Sequence, residues 1–163
     1  MFELVSEEVI YTAADGDIHF GGETRDENGV LQSRLISTTS GNELSSRVEV
    51  DFDGDGRIDR LAEKESFAAG GSSEKMSIFG EGLAAVWSLE TITSADGLVS
   101  TKKLDRNGNG LIDRRVTTVH ELGSGTTLFS EDFDGNGVLK STVLEYTSAN
   151  ATLNTSVFDF DAD

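Results

Sequence analysis

The chain has no cysteine, no proline, two histidines and one tryptophan, and its 13 basic residues face 30 acidic ones in 163 positions. Without cysteine there is no disulfide, no thiolate metal site and no cysteine nucleophile. The histidines, His19 and His120, stand about a hundred residues apart, which argues against a histidine-rich metal centre. The lack of proline suits a chain made mostly of strands, where each missing N–H would interrupt a ladder. A net charge of −17 repels nucleic acid and anionic lipid alike, so neither is an expected partner. No stretch reaches the roughly 20 apolar residues of a membrane-spanning helix, and no membrane insertion is expected. Met1-Phe2-Glu3-Leu4-Val5-Ser6-Glu7-Glu8 has neither a basic region nor a long apolar run. The expectation is a chain without a cleavable secretion signal: cytosolic, exported by another route, or cut from a longer protein.

What the chain does contain is a repeat. Asp51-Phe52-Asp53-Gly54-Asp55-Gly56-Arg57-Ile58-Asp59-Arg60 aligns with Asp105-Arg106-Asn107-Gly108-Asn109-Gly110-Leu111-Ile112-Asp113-Arg114 at an offset of 54. Asp132-Phe133-Asp134-Gly135-Asn136-Gly137-Val138-Leu139-Lys140-Ser141 is a third copy, and Glu27-Asn28-Gly29-Val30-Leu31-Gln32-Ser33 a weaker fourth. The last glycine of each loop falls at Gly29, Gly56, Gly82, Gly110 and Gly137, in steps of 27, 26, 28 and 27. A second set of turn signals lies between these, including Asp15-Gly16, Gly41-Asn42, Gly70-Gly71 and Asp96-Gly97. Each half-period of roughly ten residues holds one strand and its turn. Arg47-Val48-Glu49-Val50-Asp51-Phe52 alternates apolar and polar, and Arg115-Val116-Thr117-Thr118-Val119 is β-branched, both strand signals. Arg60 to Ala69 has helical propensity, but its register in the repeat argues for strand. The expected fold is all-β: about six tandem antiparallel hairpins of 27 residues across 1–163, paired as 54-residue four-stranded units. In such a meander every acidic loop lies at one end. Both ends of the chain fall inside a loop, so the expectation includes half-loops that meet within one molecule or head to tail between molecules.

The loops carry the chemistry. Asp51, Asp53, Asp55 and Asp59 occupy positions 1, 3, 5 and 9 of a nine-residue loop, with Gly56 at the sharp turn. Alternate positions turn oxygens toward one centre, and four clustered carboxylates call for a cation. An all-oxygen set of six to eight ligands suits Ca²⁺, with the Arg57 carbonyl as a fifth donor and water filling the rest. Ile58 and Ile112, at position 8, anchor the loops to the sheet in this reading. The second loop offers Asp105, Asn107, Asn109 and Asp113 with the Leu111 carbonyl, at lower charge and lower expected affinity. The third offers Asp132, Asp134, Asn136 and the Val138 carbonyl, but Lys140 at its ninth position cannot ligate. Thr24, Asp26 and Asn28 with Gln32 form a poorer set, and the loop ending at Gly82, with Ser77, Phe79, Glu81 and Ala85, has lost its chelators. The competing reading is that these Asp-Gly and Asn-Gly pairs only shape hairpin turns.

The nine-residue pattern resembles the calcium β-hairpin loops of FG-GAP/VCBS-type repeats of bacterial secreted proteins, whose ligands lie at positions 1, 3, 5, 7 and 9. It is also similar to the acidic loops of thrombospondin type 3 repeats. It looks like an EF-hand loop over nine positions, but position 12 is Ala62, Val116 or Val143 instead of Glu, and no flanking helices are visible. The 54-residue spacing resembles one four-stranded propeller blade, and the hairpin period resembles the tandem repeats of large bacterial exported proteins. An acidic, cysteine-free chain of this kind looks like a type I secretion passenger.

The resemblance implies a secreted or cell-surface calcium-binding protein, not an enzyme, with a structural, adhesive or self-assembling role. Its partners would be calcium, further copies of itself head to tail, and a glycan or surface protein. The alternative is a calcium-stabilised carbohydrate- or protein-binding module, lectin-like or propeller-like, with Trp87 as a stacking residue. His19, His120 and Trp87 are otherwise read as ordinary strand residues, and the sequons at Asn150 and Asn154 are given little weight. No nucleophile elbow and no phosphate-cradling loop is present.

Overall fold

The computed structural model describes residues 5–81 and 84–160. Gly82 and the terminal Asp161-Ala162-Asp163, which belong to the loop pattern, lie outside the described residues. The architecture is all-β. Twelve strands follow one another: β1 (Val5–Thr12), β2 (Ile18–Arg25), β3 (Leu31–Thr39), β4 (Ser45–Asp51), β5 (Arg60–Ser66) and β6 (Ser72–Phe79), then β7 (Ala85–Thr93), β8 (Val99–Asp105), β9 (Arg114–Glu121), β10 (Gly125–Phe133), β11 (Leu139–Ser148) and β12 (Asn154–Asp159). They form one open antiparallel sheet in sequence order, β1 to β12, without a crossover. Arg60–Ser66 is a strand, as its repeat register requires, and the helical propensity of that segment is overridden by pairing on both sides.

Strands touch only their sequence neighbours, so the sheet is a single layer. Among the described residues Val50 is the one buried apolar side chain. The accessible surface is 10442 Å², against about 7,900 Å² for a compact protein of this mass. Ladder hydrogen bonds and cross-strand pairs therefore carry most of the cohesion.

Strand side chains alternate between faces, so the register sorts them into rows. On one face a row crosses all twelve strands: Tyr11, His19, Thr38, Arg47, Glu63, Lys75, Glu90, Lys103, Arg115, Glu131, Thr142 and Asp159. Its middle is a charge ladder. Arg47 Nη1 lies 2.7 Å from Glu63 Oε1, Lys103 Nζ 2.9 Å from Glu90 Oε2, and Arg115 Nη1 3.1 Å from Glu131 Oε2. Exposed pairs of this kind contribute about 0.2–1 kcal/mol each and also fix register, because a one-residue slip sends every charge to the other face. The opposite face holds an apolar row through Ile10, Phe20, Val48, Ala62, Met76, Leu89 and Leu104, interrupted by Ser37 in β3.

The structural period is 54. Hairpins β2–β3, β6–β7 and β10–β11 each carry a register shift, at Thr24/Arg25, Ile78/Phe79 and Asp132/Phe133. Hairpins β4–β5 and β8–β9 instead close through the long loops 52–59 and 106–113. β5 also pairs with β6, and β9 with β10, so the four-stranded units are fused into one sheet and not set apart as blades.

Candidate metal centre

The first long loop is built around Asp51, the last residue of β4, which is 2% exposed. Its Oδ1 accepts the Gly54 N–H at 2.7 Å and its Oδ2 the Gly56 N–H at 2.9 Å. Both glycines sit in the left-handed region, φ 75° and 88°, which lets the chain curl back over the carboxylate. Asp53 Oδ1 accepts the Asp55 N–H at 3.1 Å, and Asp55 Oδ1 the Arg57 N–H at 2.8 Å, local turns typical of Asp in loops. Asp59 closes the loop: its Oδ2 accepts the Phe52 N–H at 2.6 Å, and its N–H donates to Val50 O at 2.8 Å.

This folding brings one carboxylate oxygen each from Asp51, Asp53 and Asp59 within 4.8 Å of one another. Two like charges at that distance repel by about 1 kcal/mol in water and about 3 kcal/mol at an effective dielectric of 20. A carboxylate offers about four lone-pair sites, so the N–H bonds leave each Asp with coordination capacity. The cluster could hold a metal ion. Asp55 stands outside it, with Oδ2 3.8 Å from Arg57 Nη1. The Arg57 guanidinium also donates to the Glu81 carbonyl at 2.9 Å, tying the loop to the next hairpin. Sequence reading placed Glu81 in a loop that has lost its chelators but did not foresee this contact, which a separation of 24 residues hides.

The second long loop repeats the main bonds of the cage. Asp105 Oδ1 accepts the Gly108 N–H at 2.7 Å and Oδ2 the Gly110 N–H at 2.8 Å, while Asp113 Oδ2 accepts the Arg106 N–H at 2.5 Å. Asn107 Oδ1 takes the Asn109 N–H at 3.0 Å and Asn109 Oδ1 the Leu111 N–H at 2.8 Å. Asp105 and Asp113 are both buried, and Leu111 is exposed. Ile58 and Ile112 are half-buried beside the closing aspartates. Two amides here replace two carboxylates, so the loop carries less charge, and the Asn107 amide nitrogen donates to Asp113 Oδ1 at 3.5 Å.

The remaining sets are arranged differently. Asp134 Oδ1 accepts both the Asn136 and Val138 N–H groups at 2.9 Å, and Asp26 Oδ1 does the same for Asn28 and Val30. In each, the carboxylate reinforces a short hairpin that the backbone also closes, through the Asp26 N–H to Val30 O and the Asp134 N–H to Val138 O. The Val138 and Asn136 N–H groups, helped by Lys140, hold the Asp134 carboxyl below its usual range. Lys140 Nζ is 3.6 Å from Asp134 Oδ2, and Asp132 lies in β10 with its Oδ1 3.8 Å from Arg114 Nε. Basic groups thus stand beside both carboxylates of this third set. His120 Nδ1 lies 2.9 Å from Thr126 Oγ1, and Trp87 is half-buried opposite Ile78. No protein-family model matches the chain, and no curated protein matches it significantly.

Proposed function

We propose that the chain is an extracellular calcium-binding β-repeat protein with a structural, adhesive or self-assembling role. The observation that carries this reading is the convergence of Asp51, Asp53 and Asp59 in a loop whose hydrogen-bond frame recurs 54 residues later at Asp105–Asp113. The donors are oxygens only, the loop is irregular, and carbonyls and water can complete the shell, which favours Ca²⁺ over the stricter octahedron of Mg²⁺. Asp51, Asp53 and Asp59 would hold the first ion, with Asp55 and the Arg57 carbonyl near enough in sequence to add donors. Asp105, Asn107, Asn109 and Asp113 with the Leu111 carbonyl would hold a second, more weakly. The bound ion supplies neutralising charge to a chain of net charge −17 and adds its binding energy to folding.

A single-layer sheet with two accessible faces suits an extended scaffold better than a catalyst. The reading includes export to a calcium-rich exterior, self-association head to tail, and contacts with a glycan or surface protein. The test is calcium titration by calorimetry beside circular dichroism, with and without chelator. The unmodified chain should bind at least two ions and melt higher with calcium. Asp53→Ala should remove one site while leaving the Asp51 cage intact, because the Asp53 carboxylate accepts from the Asp55 N–H and takes no part in the bonds that hold Asp51. Identical melting in chelator and calcium would reject the reading.

A further inference from the structure

Gly21 and Gly22 stand side by side in the middle of β2. Each such glycine costs a strand about 0.5–1 kcal/mol, and neither sits in the left-handed region that would call for it. One four-stranded unit later the same positions hold Lys75 and Met76. Gly22 has an internal explanation: the Phe20 ring lies over it, 3.9 Å from where a Cβ would stand. Gly21 faces the other side, and nothing comes within 4 Å of its missing Cβ. A glycine inside a strand that neither a bulge nor a turn explains marks a place where another group approaches the backbone.

The surroundings of Gly21 are specific. Val9 on β1 and Ile36 on β3 are its direct cross-strand neighbours. At one end stands His19, stacked on Tyr11 with ring centroids 4.8 Å apart, its Nδ1 3.2 Å from Thr38 Oγ1. At the other end stand Glu23 and Arg34, register partners across β2 and β3, with Glu23 Oε2 2.6 Å from Arg25 Nη2. Together they line an open depression of about 400 Å³, within the range of small-molecule sites.

We infer that this depression binds a single neutral pyranose ring. A pyranose has an apolar C–H face and a hydroxyl edge. The bare backbone of Gly21 between Val9 and Ile36 fits the face, and the polar groups at both ends meet the edge. An ionic ligand would meet charges of both signs, Glu7 and Glu23 against Arg34. The site uses none of the metal-loop residues, and it places glycan binding on residues other than Trp87.

The test is an amide-resolved NMR titration of the full chain with glucose, galactose, mannose and N-acetylglucosamine, run with and without chelator. At least one sugar should give saturable shifts at Val9, Gly21 and Ile36 under both conditions, so failure of the calcium reading would not remove them. Gly21→Val places side-chain atoms in the depression from a Cβ that meets nothing within 4 Å, and valine suits a strand better. It should weaken binding by about tenfold or more while the melting temperature holds or rises, and Trp87→Ala should leave binding unchanged. Shifts from none of the four sugars, shifts confined to other residues, undiminished binding by Gly21→Val, or a lower melting temperature in that variant would each overturn the inference.

Discussion

Asp51 does two things at once: it holds the loop shape through the Gly54 and Gly56 N–H groups, and it offers oxygen to the carboxylate cluster. Removing it would mix folding with ion binding, which is why Asp53 is the cleaner probe. Gly54 shows how closely the loop is fitted. A Cβ there would collide with the Leu31 backbone, whereas a Cβ at Gly56 would meet nothing within 4 Å. Both positions have positive φ, which alone costs an L-residue about 1–2 kcal/mol. Gly56→Ala should therefore lose about that much stability, and Gly54→Ala about 3 kcal/mol or more, since backbone must move as well. Urea denaturation of the two variants side by side checks this, and equal losses would mean that the loop does not rest on β3. The same collision recurs between Gly108 and Ala85, 54 residues along. The glycines were visible in the sequence. Their contact with a strand more than twenty residues earlier was not.

At the scale of the hairpin, the chain uses two closures for one motif. The long loops cage an aspartate and carry Asp59 or Asp113 at the ninth position, whose side chains bond the Phe52 and Arg106 N–H groups. The short hairpins close around Asp26 or Asp134, with Gln32 or Lys140 at that position. This difference was legible in the sequence as a missing ninth chelator, but its consequence, a hairpin closed earlier by backbone and reinforced by one carboxylate, depends on the register shift in the flanking strands. The turns also predict an acid limb. The Ser94 hydroxyl, then the Leu98 N–H, lowers the Asp96 carboxyl, and the Val138 and Asn136 N–H groups lower Asp134. A carboxyl lowered by folding contributes stability that is present above its unfolded value and lost as pH falls through its folded value. Melting temperature should thus drop as pH descends below the ordinary aspartate range. Asp96→Asn with Asp134→Asn should flatten that drop. An unaltered acid limb in the double variant would show that these turns do not set it.

Across the whole molecule, the decisive feature is the missing second layer. The folded chain keeps 10442 Å² exposed, so it buries only about three-fifths of its unfolded surface instead of the roughly seven-tenths expected for its size. Unfolding then exposes less apolar area. Calorimetry should find a heat-capacity change per residue below the usual figure of about 12–15 cal/mol/K. A value within that range would mean that the faces are covered in solution, by other copies or by curling of the sheet. Because each strand touches only its neighbours, cohesion is a sum of local interfaces, as in other repeat proteins.

The sequence by itself determined the strand content, the 27-residue hairpin spacing with its two strong loops 54 apart, and the oxygen-rich loops. Alternation, β-branching, Gly and Asx turns all act within a few residues. The tertiary structure decided what depends on strands distant in sequence. It fused the four-stranded units into one open sheet and aligned Arg47, Glu63, Lys75, Glu90 and Lys103 in a ladder. It also selected Asp51, Asp53 and Asp59, without Asp55, as the carboxylates that converge. Register between strands and the direction of a loop's side chains are set by pairing partners far along the chain, and no local pattern specifies them.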